Sequence, residues 1–330
     1  MVTDSLMFHG LIDLAAEAMG GRAITCSDDF FAGKDNLLKP GRGVFLPDEY
    51  TERGKWMDGW ESRRRRSPGF DSCLIELGVP GVIRAVDIDT NHFLGNHPPY
   101  ASLDGSADGE TFRQVLEEVP LRPGSQNLFC VQTQDPLTHV RLNIFPDGGV
   151  ARLRIYGEPH PAWKPSSNPE VAARAPGAVD LGAVRNGARA VACSDMFFGS
   201  MNNLIAPGRA ANMGGGWETR RRRGPGHDWI VVRLGARGTV DLVEVDTNHF
   251  KGNYPDRCSL EGIDAADLPL TKLVESAEFQ PLLPEQKLGP SARHFYADEL
   301  AQPGPLTHVR LRIFPDGGIS RLRLYGTREE

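Results

Sequence analysis

The 22-residue stretch PLTHVRLNIFPDGGVARLRIYG, residues 136–157, occurs again as PLTHVRLRIFPDGGISRLRLYG, residues 305–326, with 18 of the 22 positions identical. A near-copy of this length shows an internal repeat, and a repeat fixes the architecture before any single residue is interpreted. In both copies, alternating apolar and polar residues flank a Pro-Asp-Gly-Gly turn. The alternation indicates β-strands, and the turn predicts a β-hairpin because glycine readily adopts positive φ angles.

Two further pairs of segments extend the repeat over most of the chain. DLAAEAMGGRAITCSDDFF, from Asp13, matches DLGAVRNGARAVACSDMFF, from Asp180, and GWESRRRRSPG, from Gly59, matches GWETRRRRGPG, from Gly216. We therefore predict two domains and a Pro-, Ser- and Asn-rich linker between them. The predicted boundaries are 1–160 for the first repeat, 161–176 for the linker and 177–330 for the second repeat.

The spacing between matched segments changes along the chain, which locates insertions. Repeat one gains roughly ten residues near residues 45–55, and repeat two gains about twelve within residues 273–295, both expected in surface loops. Elsewhere, short strands dominate, namely CLIELG, VIRAVDID, HVRLNIF and VARLRIYG. A helical stretch is predicted only at residues 11–19 and a turn at residues 202–205. This pattern favours an all-β fold with a jelly-roll β-sandwich in each repeat.

Composition narrows the class of protein. The 330 residues are 40% hydrophobic and 24% charged, with a net charge of −6, which is typical of a globular protein and argues against nucleic acid as a partner. The sequence has neither a membrane-length apolar run nor the basic start of a secretory signal, so we expect a cytoplasmic protein that does not bind membranes. Five cysteines without a C-x-x-C pair predict reduced, mostly buried thiols.

The pentapeptide DTNHF follows a strand-like run in both repeats, at residues 89–93 and 246–250. Polar side chains at a strand end, beside a glycine-bearing loop, often build a binding site on a rigid sandwich. The alternative is structural, since Asp and Asn side chains also hold turns together by accepting hydrogen bonds from backbone amides. The sequence alone leaves both interpretations open, because duplication copies a turn as faithfully as a site.

The motif GWE[ST]RRRR places four consecutive arginines in each repeat. In an extended segment they point alternately to both sides, so the inward guanidinium groups need carboxylate or phosphate partners. Glu61 and Glu218 are candidate partners under a structural interpretation. Recognition of a small anionic substrate ranks second and polyanion binding third, because aromatic residues do not alternate with the arginines.

Histidines in the PLTHVRL segments, His139 and His308, begin strands, where a single histidine is more often structural than catalytic. The sequence contains no zinc-ligand spacing, nucleophile elbow, phosphate-binding loop or dinucleotide fingerprint. A divalent metal site assembled from carboxylates and histidines of separate loops stays possible on sequence grounds.

Taken together, the motifs CSD-x-FF, NNL, GWE[ST]RRRR, DTNHF-x-GN and THVRL-x-IFPDGG closely resemble the allantoicase family in its two-repeat form, over nearly the whole chain. The resemblance implies two jelly-roll domains of the galactose-binding kind. It also implies hydrolysis of allantoate to (S)-ureidoglycolate and urea during purine degradation, by a hydrolase acting on carbon–nitrogen bonds of linear amidines. A homo-oligomer is expected.

The implied chemistry assigns roles to residues of both repeats. General acid and base roles are predicted for Glu61, His92, Glu218 and His249. Predicted substrate-binding residues are Arg64 and Arg221 for the carboxylate, with Asp89, Asn91, Asp246, Asn248, His139 and His308 for the ureido groups. The two copies are compatible with two sites, with one live site, or with one shared site. The competing hypothesis is a non-enzymatic jelly-roll module that binds a small anion or a carbohydrate.

Overall fold

The structure is a computed structural model that describes residues 10–329, and the chain divides into two compact units, Met1–Pro161 and Ala162–Glu330. The first nine residues, on which part of the prediction about secretion rests, lie outside the described residues. None of the helices in the described part of the chain is long and apolar enough to cross a membrane.

The first unit contains twelve strands and two single-turn 3₁₀ helices among its described residues. The strands are β1 (Ile12–Asp13), β2 (Arg22–Cys26), β3 (Tyr50–Thr51), β4 (Gly54–Lys55), β5 (Trp60–Glu61), β6 (Asp71–Asp89), β7 (Tyr100–Ser106), β8 (Arg113–Pro120), β9 (Leu128–Cys130), β10 (Leu137–Phe145), β11 (Gly149–Val150) and β12 (Arg152–Pro159). The 3₁₀ helices are Glu17–Met19 and Lys34–Leu38.

The second unit repeats this order without counterparts of β3 and β4 among its described residues, and it adds two short α-helices, α1 (Pro169–Arg174) and α2 (Leu270–Glu275). Its strands are β13 (Val179–Asp180), β14 (Arg189–Cys193), β15 (Trp217–Glu218), β16 (Asp228–Asp246), β17 (Arg257–Ile263), β18 (Gln280–Lys287), β19 (Arg293–Tyr296), β20 (Leu306–Phe314), β21 (Gly318–Ile319) and β22 (Arg321–Arg328). Its 3₁₀ helices are Val184–Asn186, Met201–Ile205 and Met213–Gly215.

One 19-residue strand, β6, organises the first unit. Its first half pairs with β2 and β10, whereas its second half pairs with β9 and β12. The strand therefore belongs to both layers of a β-sandwich, and β16 does the same in the second unit. The sequence predicted two strands here, CLIELG and VIRAVDID, whereas the structure forms one continuous strand that changes partners near Pro80, whose nitrogen has no proton to donate.

Two buried cores confirm the all-β, two-sandwich prediction. Trp60 and Trp217 are fully buried, and Trp217 belongs to a cluster of buried apolar residues from β14, β16, β20 and β22. The predicted turn at residues 202–205 is confirmed by the 3₁₀ helix Met201–Ile205. All five cysteines are free, but only Cys73 and Cys258 are buried, and Cys130 is exposed, so the expectation of mostly buried thiols was wrong.

The predicted β-hairpin at residues 136–157 is wrong. Strands β10 and β12 do not pair with each other, because β6 lies between them in the order β1-β12-β6-β10-β7-β8. The Pro-Asp-Gly-Gly turn instead carries the chain from one layer of the sandwich to the other, and β11 in between pairs with β5. The expected positive φ is present, at 138° for Gly148.

The predicted helix at residues 11–19 is also largely absent. Residues Ile12–Asp13 pair with β12, and the Asp13 carboxylate accepts hydrogen bonds from the backbone N–H groups of Ala15 and Ile155. These sheet contacts hold the segment extended despite its helix-favouring alanines, and only Glu17–Met19 forms a helical turn.

The insertions lie at the surface, although one differs in position from the prediction. The extra residues of repeat one contain the small β3–β4 hairpin. In repeat two the main expansion lies between β17 and β18, at residues 264–279, and contains α2, so it begins earlier than predicted. The segment predicted as the linker contains α1, whose N-cap is Asn168.

Candidate active-site clefts

Phe93, the last residue of the first DTNHF segment, holds three loops together. Its ring is fully buried. A Cβ atom added to Gly149 would lie 2.0 Å from the ring, and one added to Gly59 would lie 2.7 Å from it. Only glycine therefore fits at either position. This packing joins DTNHF to the GWE and Pro-Asp-Gly-Gly motifs and explains why the three occur as a set.

The turn that presents His92 is fixed by its neighbours. The backbone N–H of Phe93 donates to the carbonyl of Thr90, and the buried Thr90 hydroxyl donates to the carbonyl of Arg122. His92 adopts a φ of 69°, a left-handed conformation that is uncommon outside glycine and often found at functional sites. In the second unit Phe250 packs against Gly216 and Gly318 in the same way, and His249 has a φ of 70°.

The arginine runs divide into paired and unpaired members. Arg63 forms an ion pair with Asp28, and Arg65 forms one with the buried Asp71. By contrast, Arg64 is exposed and has no hydrogen bond or ion pair within residues 10–329. The alternation of an extended segment produces this division, so the structural and the substrate-binding interpretations each account for part of the run.

The second run has the same arrangement. Arg220 forms an ion pair with Asp195, and Arg222 forms one with Asp228. Arg221 is exposed and has no partner in the described part of the chain. The suggestion that Glu61 and Glu218 neutralise the arginines was wrong. The carboxylates that do so belong to the CSD segments and to the first residues of β6 and β16, which fold back against the arginine loops.

Four predicted substrate-binding residues have partners inside their own unit. Asp89, 2% exposed, accepts two hydrogen bonds of 2.9 Å from the guanidinium of Arg42 and one from the backbone of Asn91. The amide of Asn91 donates to the carbonyl of Gly43 at 2.9 Å. These contacts favour the structural interpretation, in which Asp and Asn brace the turn.

The second unit repeats this bracing. Asp246 accepts from Arg209 at 3.1 and 3.2 Å and from the backbone of Asn248, whose amide donates to the carbonyl of Ala210. The side chains of Asp246 and Asn248 are therefore also engaged within the unit.

A cleft of about 340 Å³, here named the first cleft, opens beside the DTNHF turn of the first unit. It brings together Glu61 and His92, the two residues predicted there for acid and base roles. Lys55 and Asn96 add polar groups, and the remaining lining is mainly apolar: Phe31, Phe45, Met57 and Leu94. A small apolar cleft with a few convergent polar groups is the usual form of a site for a small molecule.

The electrostatics of the first cleft suit proton transfer. Burial raises the pKa of the Glu61 carboxyl above its usual value, and a 2.7 Å hydrogen bond from the side-chain amide of Asn96 opposes that effect. The His92 ring stacks on Phe45, with 5.4 Å between the ring centroids, and its nitrogens form no hydrogen bond within residues 10–329. The Lys55 ammonium lies 4.8 Å from the centre of the Phe45 ring.

The second unit has an equivalent but different cleft of about 510 Å³, here named the second cleft. Glu218 accepts a 2.5 Å hydrogen bond from Asn253, as Glu61 does from Asn96, and Arg221 lines the cleft. His249 does not line it, and its Nε2 lies 2.9 Å from the carbonyl oxygen of Ala210. The second cleft therefore lacks the histidine that accompanies glutamate in the first cleft.

His139 and His308 lie away from both clefts. His139 is six residues before Phe145, so it stands roughly 20 Å along β10 from the loops that form the first cleft. His308 is 5% exposed, and burial, reinforced by the positive charge of Arg233, lowers its pKa to about 4. Each imidazole has a threonine hydroxyl next to its Nδ1 atom, at 2.8 Å for His139 and 3.0 Å for His308.

Three residues of the first cleft escaped the sequence analysis. Lys55 and Phe45 come from the insertion of repeat one, which has no counterpart in repeat two and was treated as a surface loop. Asn96 follows the DTNHF motif as the last residue of FLGN, and its match with Asn253 in FKGN was the available signal. Within residues 10–329, no three His, Cys, Asp or Glu side chains are grouped to hold a metal ion.

The fold and the clefts define the class of protein, namely a tandem pair of β-sandwiches with small clefts formed by loops. The family model named Allantoicase repeat matches residues 12–160 and 179–329. The chain therefore belongs to the allantoicase family, as its motifs predicted.

Relatives support this membership over nearly the full length. A probable allantoicase of Pseudomonas aeruginosa is 48% identical, covering 97% of each chain, and probable allantoicase 1 of Burkholderia mallei is 46% identical, covering 96% of this chain and 94% of that one. The crystal structure of allantoicase from Saccharomyces cerevisiae superposes with a TM-score of 0.80 at 32% identity, covering 99% of this chain and 98% of that one.

Proposed function

We propose that the chain hydrolyses allantoate to (S)-ureidoglycolate and urea, and that the reaction takes place in the first cleft. Membership of the allantoicase family supports the activity. The location rests on one observation: Glu61, His92 and Lys55 line a single cleft, whereas the second cleft has glutamate and arginine without histidine.

Lys55 is the proposed partner of the allantoate carboxylate. Lys55 lines the first cleft, and its ammonium donates one hydrogen bond to the Pro47 carbonyl at 2.8 Å. An ammonium has three N–H donors, so two remain for a charge-assisted hydrogen bond to a carboxylate at the edge of the cleft. Arg64 was the predicted partner, but it does not line this cleft. With its carboxylate at Lys55, the substrate lies between the amide of Asn96 and the apolar wall, and its two ureido groups face Glu61 and His92.

Glu61 is the proposed general acid. A buried carboxyl with a raised pKa retains its proton at higher pH than an ordinary glutamate, so it can deliver that proton to the ureido nitrogen that departs as urea. The bond between that nitrogen and the central carbon breaks, and the lone pair of the remaining ureido nitrogen forms a carbon–nitrogen double bond.

His92 is the proposed general base. Its ring nitrogens form no hydrogen bond within residues 10–329, so one of them can take a proton from water as the water oxygen adds to the central carbon, which yields ureidoglycolate. The proton held by His92 then returns to Glu61 through solvent, and the cycle balances. Direct displacement of urea by water uses the same two residues, and trapping of an imine intermediate distinguishes the two orders.

The test is release of urea from allantoate by the purified chain, measured with and without a chelator. Urea release would support the activity, and its absence at every allantoate concentration would overturn it. Loss of activity with the chelator, restored by a divalent cation, would show that the reaction needs the divalent metal ion that the sequence leaves possible. We further infer a homo-oligomer, which the family resemblance implies and light scattering on the purified chain tests. We also infer a cytoplasmic location, which fractionation of cells tests.

A further inference from the structure

The outer face of one sheet in the second unit is polar yet buried. Along β16 and β22, Val243, Val245, Leu322 and Leu324 point into the hydrophobic core. The residues that alternate with them point to the opposite face and are also less than 9% exposed: Glu244, Asp246, Arg321, Arg323 and Tyr325. Burial of so many ionisable groups on one face is costly unless they have partners or a ligand.

A cleft of about 420 Å³, here named the arginine cleft, lies over this face. Residues 164–167 of the predicted linker and residues 205–209 form its rim. It shares no lining residue with the second cleft. It is therefore a separate cavity of the second unit, large enough for a small molecule.

Positive charge exceeds negative charge in the arginine cleft. Six basic side chains line it (Lys164, Arg185, Arg209, Arg293, Arg321 and Arg323), against three carboxyl groups (Asp180, Glu244 and Asp246). Burial also raises the pKa of Asp180, which weakens its contribution as an anion. The cleft is therefore electrostatically complementary to an anion.

Within residues 10–329, Arg321 lacks the hydrogen-bonded carboxylate that its counterpart in the first unit has. The equivalent Arg152 forms a buried 2.7 Å ion pair with Asp58, two residues before Trp60. Gly215 stands two residues before Trp217, so within residues 10–329 the Arg321 side chain donates only to backbone carbonyls, including that of Gly215. Burial and the neighbouring Arg323 lower its pKa to about 10, and the attraction of Asp246 opposes that shift.

Arg293 adds a second positive charge that the first unit lacks. In the first unit the equivalent residue is Gln126, whose amide donates to Asp87 at 2.8 Å. Arg293 donates through Nε to Glu244 at 2.6 Å, and within the described residues its two terminal nitrogens form no hydrogen bond. Lys164, on the rim, is exposed and likewise unpaired within residues 10–329.

We propose that the arginine cleft is a second ligand site that binds a small anion of the carboxylate or phosphate type. The planar guanidinium of Arg293 presents two terminal nitrogens that form no hydrogen bond within residues 10–329, a geometry that suits two oxygens of such a group. The side chains of Lys164 and Arg209 complete the positive rim, and Tyr325, whose hydroxyl donates to Glu244 at 3.2 Å, also lines the cleft. The proposal is independent of the catalytic one, because the arginine cleft shares no lining residue with the first cleft or the second cleft.

Titration calorimetry of the full chain at low ionic strength tests this site, with inorganic phosphate and succinate as separate probes. We expect one site in the chain, and a loss of affinity of about tenfold or more in Arg293→Gln, which recreates the first-unit residue. Gly215→Asp, which restores a carboxylate for Arg321, is expected to weaken binding similarly. Binding of phosphate alone or of succinate alone identifies the source of the anion and supports the site.

Arg237→Gln is the matched control, because Arg237 is a half-exposed arginine of the same unit that pairs with Asp264 outside the cleft. It should bind the probes as the unmodified chain does. A Cβ at residue 215 would lie 3.1 Å from Ala210, so circular dichroism must confirm folding of that variant, and Arg293→Gln carries the test if it fails. The proposal is overturned if neither probe binds, or if Arg237→Gln weakens binding as much as Arg293→Gln.

Discussion

The carboxylate of Glu61 accepts a 2.7 Å hydrogen bond from the side-chain amide of Asn96. The two residues belong to different motifs, GWE and FLGN, which the buried ring of Phe93 brings together. Glu218 and Asn253 repeat the contact in the second unit. The repeats thus preserve this pair, while the surrounding side chains differ enough to give the two clefts different chemistry.

Substitution of Lys55 tests recognition of the substrate carboxylate. Lys55→Ala should raise KM for allantoate by about tenfold or more, because it removes a charge-assisted hydrogen bond at the edge of the cleft. Arg64→Ala is the control, since Arg64 is an exposed cation outside the first cleft, and it should leave KM unchanged. Steady-state kinetics on both variants decides, and the reverse pattern would restore the original prediction for Arg64.

Substitution of His92 and of His139 tests which of these two histidines takes part in catalysis. His92→Ala should lower kcat by about 100-fold or more, the usual size of a general-base effect. His139→Ala should leave kcat within about threefold of the unmodified value, because strand geometry places that imidazole roughly 20 Å from the loops of the cleft. An equally large loss of kcat in a folded His139→Ala variant would contradict the placement.

The buried ring of Phe93 should stabilise the folded chain by holding three loops together. Phe93→Ala should lower the free energy of unfolding by about 3–5 kcal/mol, since it removes a fully buried ring between two glycines. Phe93→Leu, which retains most of the apolar volume, should lose markedly less. Urea denaturation measures both variants. A loss below about 1 kcal/mol for the alanine variant would mean that the loops hold their positions without the ring.

Asp87 should make stability depend on pH. Burial raises its pKa to about 6, so the folded chain binds this proton more tightly than the unfolded chain does. The stabilising contribution is full below about pH 4, where both states are protonated, and is lost as pH rises through about 6. Asp87→Asn removes this dependence, because asparagine does not titrate.

Relative to the unmodified chain, Asp87→Asn should therefore gain up to about 3 kcal/mol of stability between pH 4 and pH 7. Urea denaturation of both proteins at the two pH values measures the gain, and comparison at each pH cancels the groups they share. An identical stability difference at both pH values would show that Asp87 titrates normally.

The parts of the structure that the sequence predicted are those encoded locally. Alternating runs such as HVRLNIF predict strands, and the internal repeat predicts two sandwiches. The pairing of strands is not local. Whether β10 pairs with β12 depends on β6, a strand more than forty residues earlier, so the glycine-rich turn was mistaken for a hairpin.

The candidate site shows the same division. The sequence identified Glu61 and His92 by their motifs, and the structure brings them into one cleft. The sequence could not show that Arg42, 47 residues before Asp89, would donate hydrogen bonds to the Asp89 carboxylate. Nor could the sequence place Lys55 in the cleft. Lys55 lies in an insertion that has no counterpart in repeat two, so the two repeats could not be compared at this position.

The most direct measurement of the central claim is kcat for allantoate in Glu61→Gln and Glu218→Gln, prepared side by side. Both substitutions retain the shape of the side chain and replace the carboxyl group by an amide, which neither donates nor accepts a proton at neutral pH. We predict that Glu61→Gln loses about 100-fold or more in kcat, whereas Glu218→Gln stays within about threefold of the unmodified chain. Full activity in a folded Glu61→Gln variant would contradict catalysis in the first cleft, and selective loss in Glu218→Gln would move the reaction to the second cleft.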